Sequence, residues 1–372
     1  MKKILLMVAL LASCLAAAGQ VHSNAPKVLL VVSSDGRDAG KTQPGFEMGE
    51  YAHAYLVLKA NGLQVEVASP AGGLVEADPF NVDKDHIQAI LADVNAQHWL
   101  KNTRRTRDIK PGEYQAIMII GGKGAMFDLP KDEALQQLLA AHYLQGGILA
   151  AVCHGPAAFA QVKLADGKLL VAGRRMTGFT DEEETTFGKK WLSKLPFLLE
   201  SKMRSLGAQW EEAPLMMPKL VADGRLITGQ NPFSTSQTAE AIVRALGRTP
   251  VTRSLFMEEA SMQLVERWVA GDQARVQAIL KADPGKYKTE LIAMLGIHHF
   301  KSAKDAAAQQ QALSIMLLAE PHMSRPILAL TIAEAHIALG DGKLARQKID
   351  GVLARHPDSA DAKKLLASLP TN

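Results

Sequence analysis

Between Pro26 and about Gly247, short apolar runs alternate with amphipathic ones, and this alternation limits the fold more than any other feature of the chain. An apolar strand fills Lys27-Val28-Leu29-Leu30-Val31-Val32-Ser33. Met48 to Asn61 has helical spacing and stops at Gly62, and Gln64-Val65-Glu66-Val67-Ala68 is a second strand. Further on come a strand from Gln115 to Ile120, a helix from Asp132 to Leu144 and an apolar run that ends at Cys153. Continuous apolar strands separated by helices predict an α/β fold, a parallel sheet sandwiched by helices. Reactive residues in such sheets collect beyond the carboxyl ends of the strands. Ser33-Ser34-Asp35-Gly36, Gly121-Gly122 and Cys153 all fall there.

The polar segment from Gly72 to Pro111 is too long for a plain connection. It is expected to border the site and to contain a helix from Asp85 to Leu100. Around Arg248-Thr249-Pro250 the pattern changes, and only helical periodicity follows, which divides the chain into an α/β domain at 26–247 and an α-helical domain at 252–372. Within the second, Ile327 to Asp341 and Lys343 to Arg355 form two amphipathic helices joined at Gly340-Asp341 and closed by Pro357, similar to a tetratricopeptide unit. A plain helical bundle is the alternative. This half carries no evident chemistry, and binding a protein partner or oligomerising is its expected task.

Met1-Lys2-Lys3, the apolar run Ile4 to Leu15 and the small residues Ala16 to Gly19 make residues 1–24 a secretory signal. Leu11-Ala12-Ser13-Cys14 also fits a bacterial lipoprotein signal, so the expected location is exported and periplasmic, by cleavage or with a lipid anchor on Cys14. No later run reaches the ~18 apolar residues of a membrane span. The formal charge is only +4 with acids and bases interspersed, which gives no footprint for nucleic acid. Of two cysteines, only Cys153 lies beyond the leader, so no internal disulfide is expected, and a lone thiol in an oxidising compartment asks for a reactive role.

Ile148 to Val152 stops abruptly at Cys153-His154-Gly155, the pattern of a nucleophile elbow with small residues at Ala151 and Gly155. There the amino end of a following helix would favour the thiolate. A buried structural cysteine is the alternative. Being adjacent, the His154 ring is not expected to fold onto the sulfur as a triad base would. It could act on substrate if a carboxylate from Asp181-Glu182-Glu183-Glu184 orients it, although such a run is often a solvated face. Glu50 opens the first helix, where an acid could equally be a dipole partner. Gly121-Gly122-Lys123-Gly124 ends a strand and could aim N–H groups at an oxyanion. Neither a phosphate loop nor zinc spacing is present, and no cofactor or metal is called for.

Glu50-Tyr51-Ala52-His53, Gly121-Gly122-Lys123-Gly124 with Phe127-Asp128-Leu129-Pro130, Ala151-Val152-Cys153-His154-Gly155-Pro156, Thr177-Gly178-Phe179-Thr180-Asp181 and Gly224 to Pro232 stand in an order that resembles the ThiJ/PfpI family. The nearest likeness is to its chaperone-like, glutathione-independent glyoxalases, within the class I glutamine amidotransferase-like superfamily. It spans roughly residues 26–247. The resemblance implies a flavodoxin-like sandwich, usually a homodimer, with Cys153 as nucleophile against Glu50. It also implies His154 paired with Glu184 and an oxyanion site at the backbone of Gly122 and His154. Lys123 departs from the subgroup, which commonly has histidine there, and this bears on substrate charge. The downstream His-x-Glu pair of true glutaminases is absent.

The leading expectation is therefore a cysteine-dependent glyoxalase or deglycase, acting on methylglyoxal-like dicarbonyls or glycated protein to give 2-hydroxy acids. A thiolate would attack the aldehyde, and Glu50 and His154 would move the proton. The alternatives are a periplasmic redox sensor or holdase chaperone, a cysteine peptidase or amidase, and a degenerate scaffold that leaves the helical half to work as an adaptor.

Overall fold

The computed structural model describes residues 25–369, so the leader and the lipidation of Cys14 lie outside the described residues. A seven-stranded sheet runs in the order β3-β2-β1-β4-β5-β9-β8. Its members are β1 (Lys27–Val31), β2 (Gln64–Ser69), β3 (Arg104–Arg105), β4 (Ala116–Ile119), β5 (Ile148–Val152), β8 (Leu220–Asp223) and β9 (Leu226–Gly229). Two short strands, β6 (Arg175–Met176) and β7 (Gln209–Trp210), pair in parallel apart from it. Every pairing in the main sheet is parallel except that of β8 with β9. Val28 stands opposite both Val65 and Ala116, Ala116 opposite Ile148, and Leu149 opposite Leu226.

Val28 to Val31, Ala116 to Ile119 and Ile148 to Val152 are buried along their whole length, so both faces of the central sheet are covered. The cover comes from α1 (Met48–Ala60), α2 (Asp85–Ala92), α3 (Val94–Lys101), α4 (Glu133–Leu144), α5 (Asp181–Phe187), α6 (Leu199–Ser205) and α7 (Thr235–Ala245). The chain leaves β1 towards β2 and β3 and returns on the other side through β4. That reversal opens a crevice at the carboxyl ends of β1 and β4, beside the end of β5.

The single helix expected over 85–100 is two. Asp93 takes an extended backbone between α2 and α3, and its carboxylate accepts from the N–H groups of Asn95 and Ala96 at 3.1 Å each. An aspartate that can cap a new helix competes with continuing the old one. The same long segment lies against the loop before α1: the Asp78 N–H donates to the Phe46 carbonyl, and Asp78 accepts from the Gly45 N–H at 2.7 Å.

Beyond Pro250 the described chain is helical: α8 (Met257–Val269), α9 (Gln273–Ala282), α10 (Thr289–Ser302), α11 (Ala306–Ala319), α12 (Pro326–Ala338), α13 (Gly342–Arg355) and α14 (Ala360–Ala367). Their core, with Val265, Trp268, Ile292, Leu295, Met316 and Ile332, also takes in Leu215, Met216 and Met217 from the α/β half. The segment just before β8 thus lies in the helical core rather than in the core of the sheet.

Candidate active site

Cys153 follows β5 with φ +58°, a left-handed backbone that non-glycine residues seldom adopt. Both of its peptide groups are held: its N–H donates to the Gly229 carbonyl at 3.0 Å, and its carbonyl accepts from the Phe179 N–H at 2.8 Å. This turn brings two successive side chains to one side. The Nδ1 of His154 lies 3.2 Å from the Cys153 sulfur. The expectation that His154, being adjacent, would not fold onto the sulfur is thus overturned, because the left-handed turn at Cys153 carries the ring to it.

No α-helix follows the elbow. Gly155–Phe159 is a 3-10 turn containing Pro156, which gives little dipole to favour a thiolate. Burial, and then the charge and hydrogen bonding of Glu50, push the Cys153 thiol well above its ordinary value. The Glu50 carboxyl is likewise pushed far up, by burial first and then by the neighbouring charge of Glu47. Two acids that interact in a dry site cannot both ionise easily, so the pair keeps at least one proton at neutral pH.

Glu50 stands in the first turn of α1, wholly buried. Its Oε2 accepts from the Gly121 N–H at 2.7 Å, while Oε1 is buried with no oxygen or nitrogen partner. The glycines after β4 permit this closeness. A Cβ on Gly121 would sit 2.8 Å from both Glu50 Oε2 and the His154 nitrogen, and one on Gly122, at φ +92°, would sit 2.4 Å from the Glu47 nitrogen. Glu47 itself caps α1 by accepting from the Glu50 N–H at 2.7 Å. Sequence reasoning passed over Glu47, although an acid three residues ahead of a helix-opening glutamate is the available signal.

His154 is buried, and its Nε2 lies 2.5 Å from Glu184 Oε2. Burial opposes ionisation of Glu184, but the hydrogen bond from His154 outweighs it and holds the carboxyl below its ordinary value. Burial also holds His154 below its usual range in spite of Glu184. A neutral imidazole facing an ionised carboxylate must present N–H at Nε2, which leaves the Nδ1 lone pair towards the sulfur. The Phe179 ring packs on the imidazole at 4.4 Å.

The acidic run splits. Glu184 turns to His154, whereas Glu183 completes a capping box with Thr180 and accepts from Asn231 at 2.8 Å and the Met216 N–H at 3.1 Å. Asp181 bonds to Ser201, and Glu182 is exposed, so a solvated face describes only part of the run. Among the described residues, no group of His, Cys, Asp and Glu side chains gathers as metal ligands.

A cysteine in a left-handed turn at the end of a central parallel strand, with a carboxylic acid and a carboxylate-bound histidine at its sulfur, marks an α/β sandwich of flavodoxin-like class with a thiol, acid and imidazole gathered at its strand ends. The chain belongs to the DJ-1/PfpI family, which it matches over residues 42–245. It is 32% identical to Glyoxalase 3 of Candida albicans, over 59% of this chain and 98% of that protein. To the glutathione-independent glyoxalase HSP31 of Saccharomyces cerevisiae it is 31% identical, over 59% of this chain and 98% of the relative. The crystal structure of glyoxalase III from Candida albicans superposes with a TM-score of 0.54 at 30% identity, covering 59% of this chain and 97% of that one.

Proposed function

We propose that this protein is a glutathione-independent glyoxalase that converts methylglyoxal-like 2-oxoaldehydes to 2-hydroxy acids. The observation that carries this is the Cys153 sulfur meeting both Glu50 and the Nδ1 of His154. As the sulfur adds to the aldehyde carbon, the thiol proton passes to His154 Nδ1, and Glu184 steadies the imidazolium that forms. The product is a hemithioacetal whose oxygen faces the backbone at Gly122 and His154. Glu50 takes the hydrogen from the former aldehyde carbon, giving an enediol, and a proton returned to the adjacent carbon leaves a 2-hydroxy thioester. Water adds to that carbonyl, the thiol departs, and 2-oxoaldehyde plus water has become a 2-hydroxy acid. The net reaction requires no oxidant and no thiol cofactor, and it makes the protein a lyase-type enzyme.

The names of the relatives support this reading, and nothing comparable favours a peptidase or a holdase. We assign the chemistry to 26–247, carried as a homodimer, and partner binding to 252–372, where consecutive helices α12 and α13 on either side of Gly340-Asp341 support the tetratricopeptide-like reading. The leader composition supports action outside the cytoplasm. The test is methylglyoxal consumption without glutathione, with lactate measured, for the wild type and Cys153→Ala. Lactate that disappears in the variant supports the reading, and a wild type that makes none overturns it.

A further inference from the structure

One cation stands at the edge of this buried cluster. Lys123 opens the 3-10 turn after Gly122, and it is half-buried where Cys153, His154, Glu50 and Glu184 are buried. Its Nζ lies 5.9 Å from the centre of the Phe179 ring, which packs at 4.4 Å on His154, whose Nδ1 is 3.2 Å from the sulfur. Its charge bears on all four of those groups. The nearby Asp78 also feels Lys123, but its Oδ1 is engaged by the Gly45 N–H.

More cations frame the same turn. Phe127 ends it and meets Trp191 edge-on at 6.4 Å, and the ammonium groups of Lys190 and Lys194 sit 4.6 and 5.0 Å from the Trp191 ring. Both lysines are exposed, and Trp191 is half-buried. Buried acids surround the sulfur, Lys123 stands at their edge, and Phe127 at the end of its turn meets an aromatic flanked by two lysines. Inside, Glu184 is ionised and the Cys153–Glu50 pair adds at most one further negative charge, a field that repels an anion. A ligand with an anionic end would therefore place that end at the lysines and its neutral end at the sulfur.

We infer that Lys123 is a specificity-determining residue that selects 2-oxoaldehydes carrying an anionic tail, with the aldehyde at Cys153 and the tail at the Lys123 ammonium. This rests on the glyoxalase reading for the turnover and on Lys123 for the selection. A five-carbon example, 4,5-dioxopentanoate, would take up water and leave as 2-hydroxyglutarate by the steps given for methylglyoxal. Lys190 and Lys194 supply the outer field that draws anions inward.

The experiment compares kcat/KM for 4,5-dioxopentanoate with that for methylglyoxal in the full-length wild type, Lys123→Met and Lys123→Arg. The ratio is expected to fall about tenfold or more in Lys123→Met, the scale of one half-buried charge contact, and to stay within about threefold in Lys123→Arg. A ratio that Lys123→Met leaves unchanged overturns the inference. A second readout does not depend on dicarbonyl turnover: the rate of Cys153 alkylation by anionic iodoacetate relative to neutral iodoacetamide. That ratio should fall in Lys123→Met. If the wild type turns over neither dicarbonyl, the glyoxalase reading fails, and the alkylation ratio alone decides the anion site. An unchanged alkylation ratio overturns it.

Discussion

His154 Nδ1 and Cys153 Sγ are 3.2 Å apart although the two residues are neighbours in the chain, an arrangement that the left-handed backbone at Cys153 provides. The imidazole therefore lies between the sulfur and Glu184, which touches its other nitrogen. Glu184 raises the proton affinity of a ring that burial otherwise lowers.

Glu184→Gln removes that support. Turnover of methylglyoxal should fall about 10- to 100-fold, the usual effect of losing the carboxylate behind a functional histidine. The sign on pH is also fixed: a less basic His154 sheds its proton earlier, so the acid limb of kcat/KM should move to lower pH. A limb that stays in place would show that His154 does not set it.

Glu50→Gln should move two measurements in opposite directions. Besides burial, the charge of Glu50 keeps the Cys153 thiol protonated, so its removal should lower the thiol's pKa and speed alkylation near neutral pH. With Glu50 proposed as the group that takes the carbon-bound hydrogen, turnover is expected to fall by ~100-fold or more. Slower alkylation and slower turnover together would point to a collapsed site instead.

The sheet was legible because Val28 to Val32, Ala116 to Ile120 and Ile148 to Val152 are unbroken apolar runs spaced by helical segments, the pattern of a parallel sheet covered on both faces. Elements whose state depends on a local side-chain bond were less legible, as at Asp93, which caps α3 and splits the expected helix. The contact of His154 with sulfur was hidden because periodicity carries no signal for a left-handed φ at a cysteine, where glycine is the usual marker. Glu183 and Glu184 look alike in sequence, and only the helical turn separates them into a cap bound to Asn231 and a partner of His154.

Asp128 should make stability depend on pH. Burial, opposed by the Ser34 N–H that donates to its Oδ2 at 2.7 Å, raises its carboxyl to about 7. The unfolded carboxyl releases its proton near ~3.9, so between those values the folded form holds a proton the unfolded form lacks. That contribution is present in full below the unfolded value and is lost as pH rises through the folded one, by at most about 1.4 kcal/mol per pH unit. Urea unfolding of the wild type and Asp128→Asn from about pH 4.5 to 7 should show the stability difference between them drifting steadily against the wild type as pH rises. A constant difference would mean that Asp128 ionises normally in the fold.

Leu295→Ala tests whether the two halves unfold together. Leu295 is fully buried in the helical core that also contains Leu215, Met216 and Met217. The links continue towards the site: the His299 Nε2 lies 2.7 Å from the Leu215 carbonyl, the Phe187 ring at the end of α5 meets His298 at 5.1 Å, and the Met216 N–H donates to Glu183. Truncation of a buried leucine costs about 2–5 kcal/mol. If the shared core joins the halves, that loss should appear both in the helical signal and in the urea concentration at which Cys153 becomes reactive towards a chromogenic disulfide. An unshifted thiol midpoint beside a shifted helical one would make the halves independent, and the 215–217 segment would then belong energetically to the helices alone.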